Sequence, residues 1–167
     1  MKTSKIKKFT LHNNRGQSVL HSDLTKWKSK AGEFEIFGPL ESYSWDVEGI
    51  CLKFSENIKN VAWTLLPDET GFISFEKGWE PDNCLLLDAY GKERRRLVVP
   101  WQLTRQSNPE SAKPPTSFAG ISEPYINPAT GKVGQFGVRA WVEHAGMYYF
   151  ELDYKTGAFL WGKEIRD

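Results

Sequence analysis

The chain has 167 residues, of which 40% are hydrophobic and 26% charged, and its formal net charge is +1 at pH 7. This composition excludes an intrinsically disordered polyelectrolyte, and the length is sufficient to bury a core without metals or disulfides. No stretch reaches the roughly 20 apolar residues of a membrane-spanning helix, and the basic start lacks the apolar run of a signal peptide. We therefore expect one domain over residues 1–167, located in the cytoplasm, with no membrane partner.

The first half of the chain predicts mostly strands. The segment KIKKFTLHN, residues 5–13, alternates and carries lysines, which is typical of an edge strand. SDLTKWKSKAG, residues 22–32, predicts a short helix with polar capping residues at its start and a glycine at its end. EFEIFG predicts a strand, and YSWDVEGICLKFS fits either one bent strand or a hairpin around its Glu-Gly pair. NVAWTLL and FISFEKG predict two further strands, separated by the turn PDETG.

The stretch CLLLDAYGKERRRLVVPW, residues 84–101, predicts a hairpin. Its turn is Ala89-Tyr90-Gly91, with Gly91 at a positive φ. Strand alternation divides the arginine run between two faces. It places Arg94 and Arg96 on the outer face and Arg95 at the rim of the core, while the apolar residues on both strands face the core: Leu85, Leu87, Leu97 and Val99.

Residues 105–131 contain five prolines and many small polar residues, so they predict a long loop rather than a central strand. The region after it predicts a three-stranded meander with a first turn at His144-Ala145-Gly146 and a second at DYKTG. That turn pairs Arg139 with Glu151 and Trp141 with Tyr149. It also gathers apolar residues of the first two strands on one face: Val138, Ala140, Val142, Tyr148, Phe150 and Leu152.

These elements together predict a mainly β fold, with α+β as the alternative. The architecture would consist of antiparallel hairpins, the C-terminal meander and one or two short helices. The sequence has no glycine-rich phosphate loop, no HExxH or CxxC motif and no nucleophile elbow. Its two cysteines, Cys51 and Cys84, have no metal-ligand spacing. We therefore assign no catalytic residue, no metal site and no cofactor, and expect a protein that is not an enzyme.

The charges are distributed unevenly along the chain. Residues 1–30 carry +7, residues 31–91 carry −9 and residues 92–167 carry +3. Many acidic residues of the middle block fall in predicted turns, where carboxylates project into solvent and attract a basic protein partner. The candidate partner-binding residues are Asp46, Glu48, Asp68, Glu69, Glu76, Glu80 and Asp82.

A second interpretation uses the aromatic residues. Trp79, Trp141 and Tyr149 on an exposed β-face would stack sugars or bases. Arg94 and Arg96 would add the positive charge that a nucleic acid requires. The sequence therefore leaves a carbohydrate- or nucleic-acid-binding β-domain open as the alternative function, with nucleic acid the less favoured ligand.

The combination of LLLDAYGKERRRLVVPWQLT, the proline-rich loop and the YYFELDYKTG meander resembles bacterial immunity proteins of contact-dependent or secreted toxin systems. The resemblance covers residues 84–167 and rests on overall character, without a defining motif. It implies a stoichiometric inhibitor that binds and neutralises a cognate toxin, often a nuclease, in the cytoplasm of the producing cell. It assigns a function in protein binding but no particular functional residues.

Overall fold

The computed structural model describes residues 4–23, 39–55, 61–104 and 109–165. Within these ranges the protein is mainly β, which confirms the predicted fold class, and the strands form three antiparallel four-stranded sheets. Helical structure there is limited to 3-10 turns at His21–Asp23, Trp101–Leu103 and Pro109–Ala112. The predicted helix over residues 22–32 and the predicted strand EFEIFG lie largely or wholly outside the described residues.

Twelve strands are described. In chain order they are β1 (Ile6–Asn13), β2 (Ser18–Leu20), β3 (Leu40–Val47), β4 (Ile50–Phe54), β5 (Val61–Leu65), β6 (Gly71–Glu76), β7 (Cys84–Asp88), β8 (Glu93–Leu97), β9 (Ser117–Ser122), β10 (Gly137–Val142), β11 (Gly146–Asp153) and β12 (Ala158–Glu164). The sheet orders are β2-β1-β3-β4, β5-β6-β7-β8 and β12-β11-β10-β9.

The chain groups into two compact units. The first comprises Met1–Ser74 with Leu87–Glu93, and the second comprises Phe75–Leu86 with Arg94–Asp167. We describe each unit by itself, and the single domain over residues 1–167 remains a prediction.

In the first unit, β1 lies between β2 and β3, so the prediction that it is an edge strand is wrong. The turn after Asn13 returns the chain to pair with β1 through a strand of only three residues, which is too short to produce an alternating pattern. β3 and β4 form a hairpin in which Val47 pairs with Ile50. Glu48 and Gly49 form its two-residue turn, with φ values of 51° and 78°, as a tight hairpin with primed turn geometry requires.

The core of the first unit is largely aromatic. The Trp63 ring lies 5.7 Å or less, between ring centroids, from those of Tyr43, Trp45, Phe54 and Phe72. Such tilted and stacked pairs contribute beyond the burial of their area. The enrichment of tryptophan in the middle of the chain therefore serves packing in this unit.

The predicted turn between β7 and β8 is confirmed. The Gly91 amide donates to the Asp88 carbonyl, and Gly91 has a φ of 79°. The four apolar residues expected to face the core are all buried: Leu85, Leu87, Leu97 and Val99. Residues 94–96 are all exposed, and the stem of Arg95 packs against Gly157.

The C-terminal meander of the second unit is confirmed as β10, β11 and β12, with the predicted apolar face buried. The predicted pairings are wrong, because Arg139 pairs with Tyr149 and Trp141 pairs with Met147. The turn starts one residue earlier than expected, since His144 adopts a φ of 69° and the Ala145 amide donates to the Val142 carbonyl. Moving the centre of a hairpin turn by one residue shifts each cross-strand partner by two residues. Every side chain therefore stays on the same face of the sheet.

The segment predicted as a long loop contains the strand β9, which pairs with β10. The five prolines lie on either side of this strand rather than within it, so they do not interrupt its ladder. Phe118 in β9 is buried, and its ring stacks on Phe159 at 5.8 Å. The loop prediction is therefore wrong for Ser117–Ser122.

Candidate protein-binding loop

The loop between β6 and β7, residues 77–83, has a rigid base. Asn83 is buried, and its side-chain amide donates to the carbonyls of Glu76 and Phe118 at 3.1 and 3.0 Å. Its side-chain oxygen accepts the Phe118 amide at 2.8 Å, and its carbonyl accepts the Glu76 amide. A buried amide whose donors and acceptor are all used holds both ends of the loop in one place.

Arg96 in β8 attaches the loop a second time. One guanidinium nitrogen, Nη1, donates to Glu76 Oε1 at 2.6 Å and to the Asp82 carbonyl at 2.9 Å. Both charged side chains are about 40% exposed, at 38% and 42%, so the ion pair itself adds little stability. The Val99 amide also donates to the Pro81 carbonyl. Arg96 thus acts on the geometry of the loop rather than presenting a free positive charge.

The tip of the loop is exposed. Trp79 is 71% exposed, more than any other large hydrophobic residue in the described ranges. Among the described residues, no hydrogen bond or ion pair involves Trp79 or Glu80. A tryptophan that the fold does not bury is typical of an anchor for a partner, because it offers a large contact area at low entropic cost.

Three predicted acidic residues therefore meet an aromatic residue in this loop. Glu76, Glu80 and Asp82 belong to the predicted acidic set, while Trp79 and Arg96 belong to the alternative aromatic and basic set. The two sets are not separate faces here, since members of both occupy one loop and its base. We call residues 76–83 the Trp79 loop. An exposed indole among carboxylates suits a partner with an apolar pocket bordered by basic residues.

The other four predicted acidic residues lie in the first unit and have varied surroundings. The Glu48 carboxylate accepts hydrogen bonds from Ser4 Oγ and Tyr90 OH, each at 2.5 Å. These bonds, from Ser4 first and then Tyr90, lower the pKa of Glu48. Asp68 accepts the amide and hydroxyl of Thr70 and so forms part of a turn.

The remaining two acidic residues of that unit differ in exposure. Glu69 is exposed at a φ of 62°, and its backbone carbonyl accepts the Ile6 amide. Asp46 is half-buried in β3, opposite Lys7 and Cys51. The four acidic residues of the first unit therefore differ in their surroundings, and Asp68 in particular has a structural role in its turn.

Most of the residues in the predicted aromatic and basic face are not available to a ligand. Tyr149 is fully buried and its ring stacks on Tyr125 at 4.6 Å, so it is not available to a ligand. Trp141 is 41% exposed but pairs with Met147 rather than Tyr149. The guanidinium of Arg94 donates to the carbonyls of Tyr154 and Lys155 at 2.6 and 3.1 Å. The stacking platform predicted from Trp141 and Tyr149 is thus absent.

Sequence reasoning missed Asn83, the residue that fixes the loop. An asparagine directly after the turn WEPD is ordinary, and its partner Phe118 is 35 residues away. No spacing in the sequence reveals such a pair. Within the residues that the structure describes, no group of three histidine, cysteine or acidic side chains is arranged to hold a metal ion. None of the helical turns described is long and apolar enough to cross a membrane.

Comparison with known proteins gives a fold relationship. No family model matches the sequence, and no curated protein matches it either. The fold is similar to that of a chain in the solved structure of Tne2 in complex with Tni2, with a TM-score of 0.64. The alignment covers 96% of this chain and 99% of that chain with 12% sequence identity. At this identity the similarity shows a common fold alone.

Proposed function

We propose that this protein is a non-enzymatic protein-binding module, an immunity protein that neutralises a cognate toxin in the bacterial cytoplasm. The observation that carries the proposal is the Trp79 loop, with its rigid base and its tip free of internal bonds. Because the base of the loop is already fixed, little conformational entropy is lost when a partner binds it. Trp79 would enter an apolar pocket of the toxin, and Glu80 and Asp82 would face its basic residues.

Two further observations support the proposal. The fold is similar to that of a chain solved within a two-protein complex, Tne2 with Tni2. The sequence from Cys84 onward resembles immunity proteins of toxin systems. Carboxylates beside an anchor residue fit a toxin whose active site binds an anionic substrate, a nuclease being one such class, because they would occupy the place of the phosphates.

The test begins with the gene next to that of this protein. We expect the C-terminal domain of a large toxin encoded there to form a one-to-one complex with the protein and to lose its toxicity on co-expression. Trp79→Ala should weaken this complex by about 30-fold or more, which is the range of an interface anchor. Calorimetry measures the affinity, and growth of co-expressing cells measures the neutralisation.

Trp141→Ala is the matched control, because Trp141 is also partly exposed but lies on the strand β10. It should leave the affinity within about twofold, as expected for a substitution outside an interface. The proposal fails if the neighbouring toxin domain neither binds nor is neutralised. The assignment to the Trp79 loop fails if both tryptophan variants bind like the wild type.

A further inference from the structure

The second unit carries an open groove in addition to the Trp79 loop. An open groove of about 420 Å³ is lined by the segment around residues 127–135 and by strands β11 and β12. The segment closes on itself through a bridge between Ile126 and Val133 and through the Gly134 amide, which donates to the Tyr125 carbonyl. Val133 and Leu160 line the groove and are 63% and 53% exposed. The groove therefore has apolar walls that are not covered by the described part of the chain.

A buried carboxylate lies in this groove. Glu151 is only 8% exposed, yet its side chain is among those that line the cavity. Its Oε1 accepts the indole N–H of Trp161 at 2.9 Å. A Cβ at position 134 would lie 2.5 Å from that same oxygen, so a larger residue there would displace the carboxylate. The carboxylate thus lies directly against the Gly134 backbone.

This carboxylate has no cation of its own within the described residues. The Trp161 indole is its one hydrogen-bond donor there, which leaves Oε2 without a partner. Lys132 and Lys155 also line the groove, but neither forms an ion pair with Glu151. A carboxylate on a largely buried residue is normally paired, because burial removes part of its hydration. Among the described residues nothing pairs with Oε2, so this oxygen is available to a cation that enters the groove.

We propose that the groove binds an arginine side chain of a partner protein, with the guanidinium on Glu151 and the alkyl stem between Val133 and Leu160. Arginine fits better than lysine, since its guanidinium is planar and weakly hydrated and pairs with carboxylates inside apolar surroundings. Asp153 in the same lining adds a second negative charge. The exposed Lys132 and Lys155 favour an arginine that has acidic neighbours in the partner. This inference goes beyond the proposed function and does not require its toxin.

The test uses a capped peptide, acetyl-Gly-Arg-Gly-amide, and the full-length protein. The indole N–H resonance of Trp161 is a direct reporter, because this group donates to Glu151. We expect the arginine peptide to shift that resonance in a saturable way in the millimolar range. The same peptide with citrulline in place of arginine is isosteric but neutral, and it should bind about tenfold more weakly or not at all.

Glu151→Gln supplies the matched variant, because glutamine retains an acceptor for the Trp161 indole while losing the charge. It should reduce the response to the arginine peptide by about tenfold. The proposal is overturned if the citrulline peptide shifts Trp161 as strongly as the arginine peptide in the wild type, a comparison that needs no variant. It is also overturned if free arginine binds more tightly than the capped peptide, which would assign the groove to a small zwitterion.

Discussion

At the scale of single residues, two glycines with the same backbone conformation have different surroundings. Gly49 has a φ of 78° and Gly91 a φ of 79°. A Cβ at position 49 would meet nothing within 4 Å, whereas a Cβ at position 91 would lie 3.0 to 3.2 Å from the rings of Trp63 and Trp45. The pair therefore separates backbone strain from packing in one protein.

We predict that Gly49→Ala costs about 1 kcal/mol of stability, the cost of a left-handed conformation for an L-residue. Gly91→Ala should cost a further 1–3 kcal/mol or so, because the indoles of the aromatic core must move. Urea unfolding monitored by circular dichroism measures both variants. If the two variants lose the same stability, the contact between Gly91 and the two tryptophans adds no packing cost when a Cβ is introduced.

The glycine of DAYG also shows how far residue-level prediction extends. The turn and the positive φ of Gly91 follow from the local sequence, because few other residues adopt that conformation. Its contact with Trp45 and Trp63 does not follow, since it depends on which hairpins meet. The hydrogen bond from the Trp45 indole to the Ala89 carbonyl, at 2.8 Å, spans 44 residues and has no local signature.

At the scale of elements, the tips of two hairpins in the first unit are joined by side chains. Tyr90, in the β7–β8 turn, donates to Glu48 in the β3–β4 turn, and Ser4 donates to the other oxygen of the same carboxylate. The bond from Ser4 and the bond from Tyr90 lower the pKa of Glu48 from its ordinary value of 4.5. The bond to Glu48 raises the pKa of Tyr90 in turn.

We predict that Tyr90→Phe raises the pKa of the Glu48 carboxyl toward its ordinary value without restoring it fully, because the Ser4 bond remains. A lowered acid pKa adds stability that is present above the unfolded pKa and is lost as pH falls through the folded one. The variant should therefore lose less stability than the wild type on acidification below about pH 4.5. Carbon-detected NMR of the carboxyl gives the pKa.

Tyr125→Phe is the control for that titration, since Tyr125 stacks on Tyr149 and belongs to the second unit. It should leave the Glu48 titration unchanged. An unaltered pKa of Glu48 in Tyr90→Phe would mean that the two turns are not joined through the tyrosine hydroxyl in solution.

Strand faces and strand register differ in how well the sequence predicts them. Alternation correctly places Val138, Ala140 and Val142 on the buried face, because a one-residue error would expose all three. Alternation does not distinguish registers that differ by two residues. The choice depends on the turn, where His144 rather than a glycine adopts the left-handed conformation. That conformation is uncommon for a residue other than glycine, so the sequence pattern places the turn one residue too late.

At the scale of the whole molecule, the two cysteine thiols report on different states: Cys51 on the native protein, and Cys84 on molecules in which strand β7 has opened. Cys51 is exposed in β4, whereas Cys84 is fully buried in β7 and burial raises its pKa. Thiolates, not thiols, react with disulfide reagents. We predict that Ellman's reagent modifies one thiol per native molecule and reaches the second only when β7 opens.

In the Cys51→Ser variant, the native protein should have no thiol that reacts rapidly. The denatured protein should have one, which is Cys84. The labelling rate of Cys84 in this variant then measures how often strand β7 opens, as a function of urea. Rapid modification of two thiols in the native wild type would contradict the placement of β7 in the core.

The candidate site could be predicted only in part from the sequence. The sequence indicates both the acidic character of the middle block and the candidate role of Trp79, but it assigns them to two competing surfaces. What unites them is the Trp79 loop, in which Glu76, Trp79, Glu80 and Asp82 are neighbours in sequence. The role of Arg96 depends on how β7 and β8 pair. The sequence alone therefore does not distinguish an arginine that donates to Glu76 and to the Asp82 carbonyl from an arginine in a free basic patch.

The division between the base and the tip of the Trp79 loop also bears on how specificity can change. The bonds that fix the base come from Asn83, Arg96 and backbone groups, and none of them uses the side chain of Lys77, Trp79 or Glu80. Those three positions can therefore be exchanged with little effect on folding, while the frame that presents them stays the same. A lineage, or an engineer, could retarget such a loop to a new partner by substituting a few neighbouring codons.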